Sequence, residues 1–239
     1  MTDYTAPRTT SLNSAELDRA LAEDAPGTIV ELPIAGAWAF IPQVFGDDRG
    51  GFHEWFRAEQ FTEQLGYPLQ VVQANLSRSA AGVLRGIHLA EVPPGQAKFV
   101  TCVAGEVRDV LVDLRQGSPT FGQHLSVELS AENNIGVYVP LGVGHGFVAN
   151  EQSTVSYLVT EAYSPEREFE VDAFDPDLAI DWGIDPESAI RSGKDQAAPG
   201  LKDVTERLPR WREVRGWEKE LADGWAEAMQ AAEDWEEEQ

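Results

Sequence analysis

The chain has 239 residues, an ordinary 42% apolar share and a formal net charge of −23 from 41 acids against 18 bases. So large an acid excess excludes long-range attraction to a nucleic-acid backbone or an anionic membrane, and it makes any local cluster of Arg, Lys and His informative. The single cysteine, Cys102, excludes an intrachain disulfide framework and any multi-cysteine metal site.

Residues 1–28 are polar and Ala-rich, with Asn13-Ser14 capping A-E-L-D-R-A-L-A-E-D. This predicts a short helix with Leu17 and Leu21 on one face, ended by Pro26-Gly27, in an N-terminal extension. The opening M-T-D-Y-T-A-P-R lacks a basic stretch followed by an apolar segment, and no apolar run approaches membrane-spanning length, so a cytoplasmic protein is expected.

From Thr28 the texture changes to short β-branched and aromatic segments: T-I-V-E-L-P-I, A-W-A-F-I-P, L-Q-V-V-Q-A-N-L-S, G-V-L-R-G-I-H-L, K-F-V-T-C-V-A-G, E-V-R-D-V-L-V-D-L, L-S-V-E-L, I-G-V-Y-V-P, H-G-F-V-A-N and T-V-S-Y-L-V-T. Gly, Pro, Asn or Ser separates most of them, at the spacing of a sandwich or barrel. Only E-W-F-R-A-E-Q-F-T-E-Q-L, with Phe56, Phe61 and Leu65, reads as an early helix. An all-β double-stranded roll over residues 29–201 follows, with strands expected to stop after Tyr163. Residues 202–239 form a separate tail, in which Val214, Trp217, Leu221, Trp225, Ala228, Ala232 and Trp235 mark one stripe of an amphipathic helix.

The stretch Val83–Val100 sets Arg85, His88 and Lys98 between two apolar runs. Strand alternation puts Arg85 and His88 on opposite faces unless Gly86 carries a bulge, in which case three cation-capable groups line one cavity. The alternative is two ordinary strands with a solvated Arg, a satisfied His and a surface Lys. Histidines stand at 53, 88, 124 and 145, and P-L-G-V-G-H-G-F has the P-x-G-x-x-H spacing of a cupin barrel's second motif. Metal-binding cupins also need an H-x-H first motif, and two residues after His88 stands Ala90, so no metal is expected. Without a metal, a thiol nucleophile or a Gly-rich phosphate loop, the chemistry left is general acid and base catalysis. A histidine base then needs a supporting carboxylate, an electrophile for the developing charge and an acid on the far side.

The runs V-F-G-D-D-R-G-G-F-H-E, V-V-Q-A-N-L-S-R-S, V-L-R-G-I-H, Q-A-K-F-V, G-E-V-R-D-V-L-V-D-L-R-Q-G-S-P-T-F-G, L-S-A-E-N, V-P-L-G-V-G-H-G-F and S-G-K-D-Q-A-A-P resemble, in order and spacing, the dTDP-4-dehydrorhamnose 3,5-epimerase family over roughly residues 31–201. The resemblance implies a cofactor-free cupin-type jelly roll, usually a homodimer exchanging N-terminal strands, whose partner molecule is a dTDP-4-keto-6-deoxyhexose substrate. It implies His88 as base, Asp195 as its support, Tyr157 as the opposite-face acid and Lys98 beside the keto oxygen. Arg49, Gln73, Asn75, Arg85, His145 and Tyr163 match positions that hold nucleotide, phosphates or sugar. The family commonly carries R-G-F-F, Q-D-N-H, G-L-H-Y-Q and F-L-Y-K, where this chain has Gly51, Ala74, Leu76, Leu89, Ala90 and Leu158. These departures leave open inversion at carbon 3, at carbon 5 or at both, and hence a single-carbon epimerase of an antibiotic-type pathway. A non-catalytic sugar-nucleotide-binding cupin and a metal-dependent cupin oxygenase or isomerase are the readings from other classes, opposed by the catalytic quartet and by Ala90 respectively.

Overall fold

The computed structural model describes Leu21 and residues 26–237. The helix expected between Asn13 and Asp24 lies outside the described residues except for Leu21, which is buried in the inner core. Among the described residues the strands are β1 (Thr28–Glu31), β2 (Trp38–Ile41), β3 (Val44–Asp47), β4 (Gly50–His53), β5 (Gln73–Ser79), β6 (Leu84–Ala90), β7 (Lys98–Ala104), β8 (Glu106–Asp113), β9 (His124–Ser130), β10 (Gly136–Val139), β11 (Val143–Ala149), β12 (Ser153–Val159) and β13 (Glu168–Glu170). The α-helices are α1 (Ala58–Leu65), α2 (Gly193–Gln196) and α3 (Trp211–Glu237), the last preceded by a 3-10 helix at Leu201–Arg207.

A six-stranded sheet of order β1-β2-β10-β7-β12-β5 faces a five-stranded sheet of order β13-β6-β11-β8-β9, and β3 pairs β4 in a separate hairpin. Every pairing between named strands is antiparallel, as the expected jelly roll requires. Period two sends Val107 and Leu111 of β8 into the space between the sheets, where Val100, Val137 and Val155 meet them, while Val110 and Val112 point the other way. That outer face is covered by the segment after β13, with Val171, Leu178, Trp182 and Leu201 packed on Leu84 and Val148.

The outer face of the larger sheet carries Trp38, Phe99, Tyr138 and Leu158, and is covered by Phe61 of α1 and Val214 and Trp217 of α3. Trp38 stacks on Tyr138 with centroids 4.8 Å apart, and Phe61 meets Phe99 edge-on at 4.7 Å, an arrangement the ring quadrupoles favour. Because both sheets are covered on both faces, central strands lose the apolar–polar alternation. All seven residues of β11 are buried.

Two elements differ from expectation. Strands do not stop after Tyr163, since β13 joins the edge of the smaller sheet beside β6, and three residues are too short a run for a period to show. The β3–β4 hairpin stands out with Phe45 and Phe52 about two-thirds exposed (63% and 66%). The tail stripe is helical as expected, yet only its first half is docked. Val214 is fully buried and the Trp211 ring lies 4.6 Å from the Arg115 guanidinium, whereas Trp225, Met229 and Trp235 are exposed. Among the described residues no helix is long and apolar enough to cross a membrane.

Candidate active site

The site is built where β6 and β11 approach most closely. His145 pairs with His88 and Phe147 with Arg85, so three steps on β6 match two on β11. The bulge lies at Gly86, whose φ of +127° favours glycine and whose Cβ, if present, would meet the Cα of Gly146 at 2.4 Å. Its effect is to bring Arg85 and His88, which alternation would separate, to the same cavity of about 160 Å³.

Lys98 from β7 and Tyr157 from β12 enter that cavity from the opposing sheet, joined by His145 and by Glu168 of β13. Nε2 of His88 lies 2.6 Å from Oδ1 of Asp195, whose other oxygen accepts a 2.7 Å hydrogen bond from the Ser192 hydroxyl. Ser192 caps α2 by accepting from the Asp195 amide, so the short helix holds the carboxylate in place. Burial raises the Asp195 pKa, but the hydrogen bonds from His88 and Ser192 outweigh it and hold the carboxyl below its usual range. Asp195 is therefore an anion held in hydrogen-bond contact with the imidazole of His88.

Lys98 is buried, and desolvation draws its ammonium down to about 8, while the charges of Glu168 and Asp109 pull the other way. Burial raises the Tyr157 phenol, Arg85 lowers it and Glu168 raises it further, so the hydroxyl keeps its proton at neutral pH. A second imidazole–carboxylate pair sits deeper, with His145 Nε2 2.7 Å from Oδ2 of the fully buried Asp109.

Of the residues expected at the site, His88, Lys98, Tyr157, Arg85 and His145 share this cavity, with Asp195 directly behind His88. Gln73, Asn75 and Tyr163 gather beside it: Gln73 donates to Asn75 at 2.6 Å and accepts from the Tyr163 amide at 3.4 Å. Arg49 is not brought in, since it sits at the exposed hairpin tip bound to Asp47. Glu168, Gln96 and Asp109 escaped the sequence reading. A signal existed for Asp109, an acid in the middle of an apolar strand, because an unpaired charge is rarely buried. For Glu168 none existed, as E-F-E looks like a solvated run. Among the described residues no group of three or more His, Cys, Asp or Glu is placed to hold a metal ion.

A two-sheet β-roll with a carboxylate-paired histidine on one inner wall and a lysine and a tyrosine on the other has the architecture of a cupin and gathers groups capable of acid–base chemistry. Comparison narrows this. The family model for dTDP-4-dehydrorhamnose 3,5-epimerase matches residues 31–203. A dTDP-4-dehydrorhamnose 3,5-epimerase of Mycobacterium tuberculosis is 47% identical over 189 residues, covering 77% of this chain and 94% of that protein. A dTDP-4-dehydro-6-deoxyglucose 3-epimerase of a Streptomyces species is 44% identical, covering 79% and 96%. The crystal structure of ChmJ, a 3'-monoepimerase from Streptomyces bikiniensis in complex with dTDP-quinovose, superposes with a TM-score of 0.77 at 41% identity, covering 81% of this chain and 98% of that one. The chain belongs to the dTDP-4-dehydrorhamnose 3,5-epimerase family.

Proposed function

We propose that the protein is an epimerase of dTDP-4-keto-6-deoxyhexoses that inverts carbon 3, carbon 5 or both, with His88 as base, Asp195 as its support, Lys98 as electrophile and Tyr157 as acid. The observation that carries this is the 2.6 Å His88–Asp195 contact on one sheet facing Lys98 and Tyr157 on the other. A 4-keto group acidifies the hydrogens on carbons 3 and 5. His88 takes one of them, the Lys98 ammonium stabilises the enolate oxygen, and Tyr157 returns a proton to the other face, which inverts the carbon. Base and acid stand on opposing walls, so a sugar ring between them presents one face to each.

The diphosphate is held by Arg85 and His145 inside the cavity and the nucleotide by Gln73, Asn75 and Tyr163 beside it. Arg49 completes the site from a second copy in a homodimer. Support for this comes from the exposed Phe45 and Phe52 of its hairpin and from β5, an edge strand unpaired on one side among the described residues, where Leu76 is 66% exposed. Each is apolar surface that a monomer leaves in water.

The departure at Leu158 does not alter the lining, since this residue points into the outer core with Trp38 and Phe99. The number of carbons inverted then depends on the reach of Tyr157. The test is deuterium exchange from solvent into dTDP-4-keto-6-deoxyglucose, followed at each carbon. We expect Tyr157→Phe to retain exchange at carbon 3 and lose most inverted product. Normal inversion in that variant would show that another group is the acid, and full turnover in His88→Ala would remove the whole assignment.

A further inference from the structure

On the outer face of the six-stranded sheet, α3 roofs a second cavity of about 150 Å³. Trp217 and Leu221 of α3 close it over Tyr67, Tyr138 and Glu161, and no Lys, Arg or His lines it. The two residues from α3 lie beyond the 31–203 span that matches the family. Glu161 is the one carboxylate in the lining, and its side chain has no hydrogen bond or ion pair among the described residues. Three aromatic side chains and an unpaired carboxylate, with no basic side chain in the lining itself, favour a cation with an apolar body. A cavity of this volume accommodates a single six-membered ring. The net charge of −23 raises the local concentration of such cations further.

This cavity and the catalytic one share a wall. Ala97 lines the outer cavity while its neighbours Gln96 and Lys98 line the catalytic one. Gln96 donates to the backbone oxygen of Glu161 at 2.9 Å, and the Ala97 amide donates to the hydroxyl of Thr160, also in the outer lining, at 2.9 Å. A molecule that presses on Glu161 and Ala97 therefore acts on the segment that positions Lys98.

We propose that the tail-roofed cavity is an effector site for a small organic cation, an ammonium on an apolar group of about one ring, whose binding alters epimerisation. The test is isothermal titration of the full chain with benzylammonium and with benzyl alcohol, its neutral near-isostere, together with steady-state turnover. We expect benzylammonium to bind about tenfold more tightly than the alcohol and to change kcat or KM. Glu161→Gln should erase that preference while leaving basal turnover as it is. Leu221→Trp, which fills the cavity without removing the helix, should abolish binding of both. Equal affinities for the two probes, or a preference that survives Glu161→Gln, would overturn the cationic class. Binding that survives Leu221→Trp would overturn the location, and the absence of binding would overturn the site. Binding with kcat and KM unchanged would overturn the effector role.

Discussion

Lys98 is a buried ammonium that costs the fold and that the proposed mechanism puts to use. Desolvation lowers its pKa to about 8, against a usual value of 10.5. The enolate needs the charged form, so turnover should fall as pH rises through about 8. Glu168 holds that value up, and Glu168→Gln should move the alkaline limb of the kcat profile to lower pH; a limb that stays in place would assign it to another group. Stability runs the opposite way. Between about 8 and 10.5 the unfolded chain binds a proton that the folded one does not, so Lys98's contribution to stability improves as pH rises through that window and is least favourable below it. Lys98→Met should accordingly raise the melting temperature at neutral pH while abolishing turnover. In the proposed mechanism His88 and Asp195 act as one unit, so His88→Ala and Asp195→Asn should each cost about 10²–10⁴ in kcat, with the double variant little worse than the more damaging single one. Losses that multiply would mean that the two act separately.

At the scale of elements, the strands that carry the chemistry were legible because burial on both faces makes them apolar runs bounded by turn residues, as K-F-V-T-C-V and V-L-V-D-L show. The bulge at Gly86 was legible as one of two alternatives, from an interior glycine between Arg85 and His88. What stayed hidden was too short to show a period, as with β13 and with the four-residue strands of the β3–β4 hairpin. The roles proposed for Asp195 and Tyr157 could not come from spacing at all, since each lies far along the chain from His88 and is brought to its cavity only in the folded roll. In the tail, the apolar stripe is continuous in sequence but divides in space. Among the described residues, ending the chain after Ala222 removes only exposed ones, and it should leave the melting temperature nearly unchanged. Ending it after Arg210 also strips Val214 and Trp217 from the aromatic outer core and should cost roughly 3–5 kcal/mol, read from denaturant unfolding. Equal stability of the two shortened chains would show that α3 contributes nothing to the roll.

Across the whole molecule, the acid load must be overcome locally for a diphosphate to bind, and in the proposed dimer one protomer provides only part of the means. Arg85, Lys98 and His145 line the cavity, while Arg49, with its side chain 89% exposed, waits at the tip of an apolar hairpin. In the proposed two-fold dimer each hairpin would reach the other protomer's mouth and each site would take Arg49 from its partner, which would make catalysis a property of the pair. Arg49→Ala and His88→Ala should each be impaired alone. In a mixed dimer one site would carry an intact His88 and the partner's intact Arg49, and the other site would carry both lesions. After random exchange of equal amounts, about a quarter of all sites should be whole, and turnover should rise well above the mean of the two parents. Replacing Phe45 and Phe52 with Ser should shift the protein toward monomer in sedimentation and weaken dTDP binding together, because the same hairpin carries the contact and the arginine. Mixed samples with no gain over their parents would place Arg49 in its own protomer's site or outside any site.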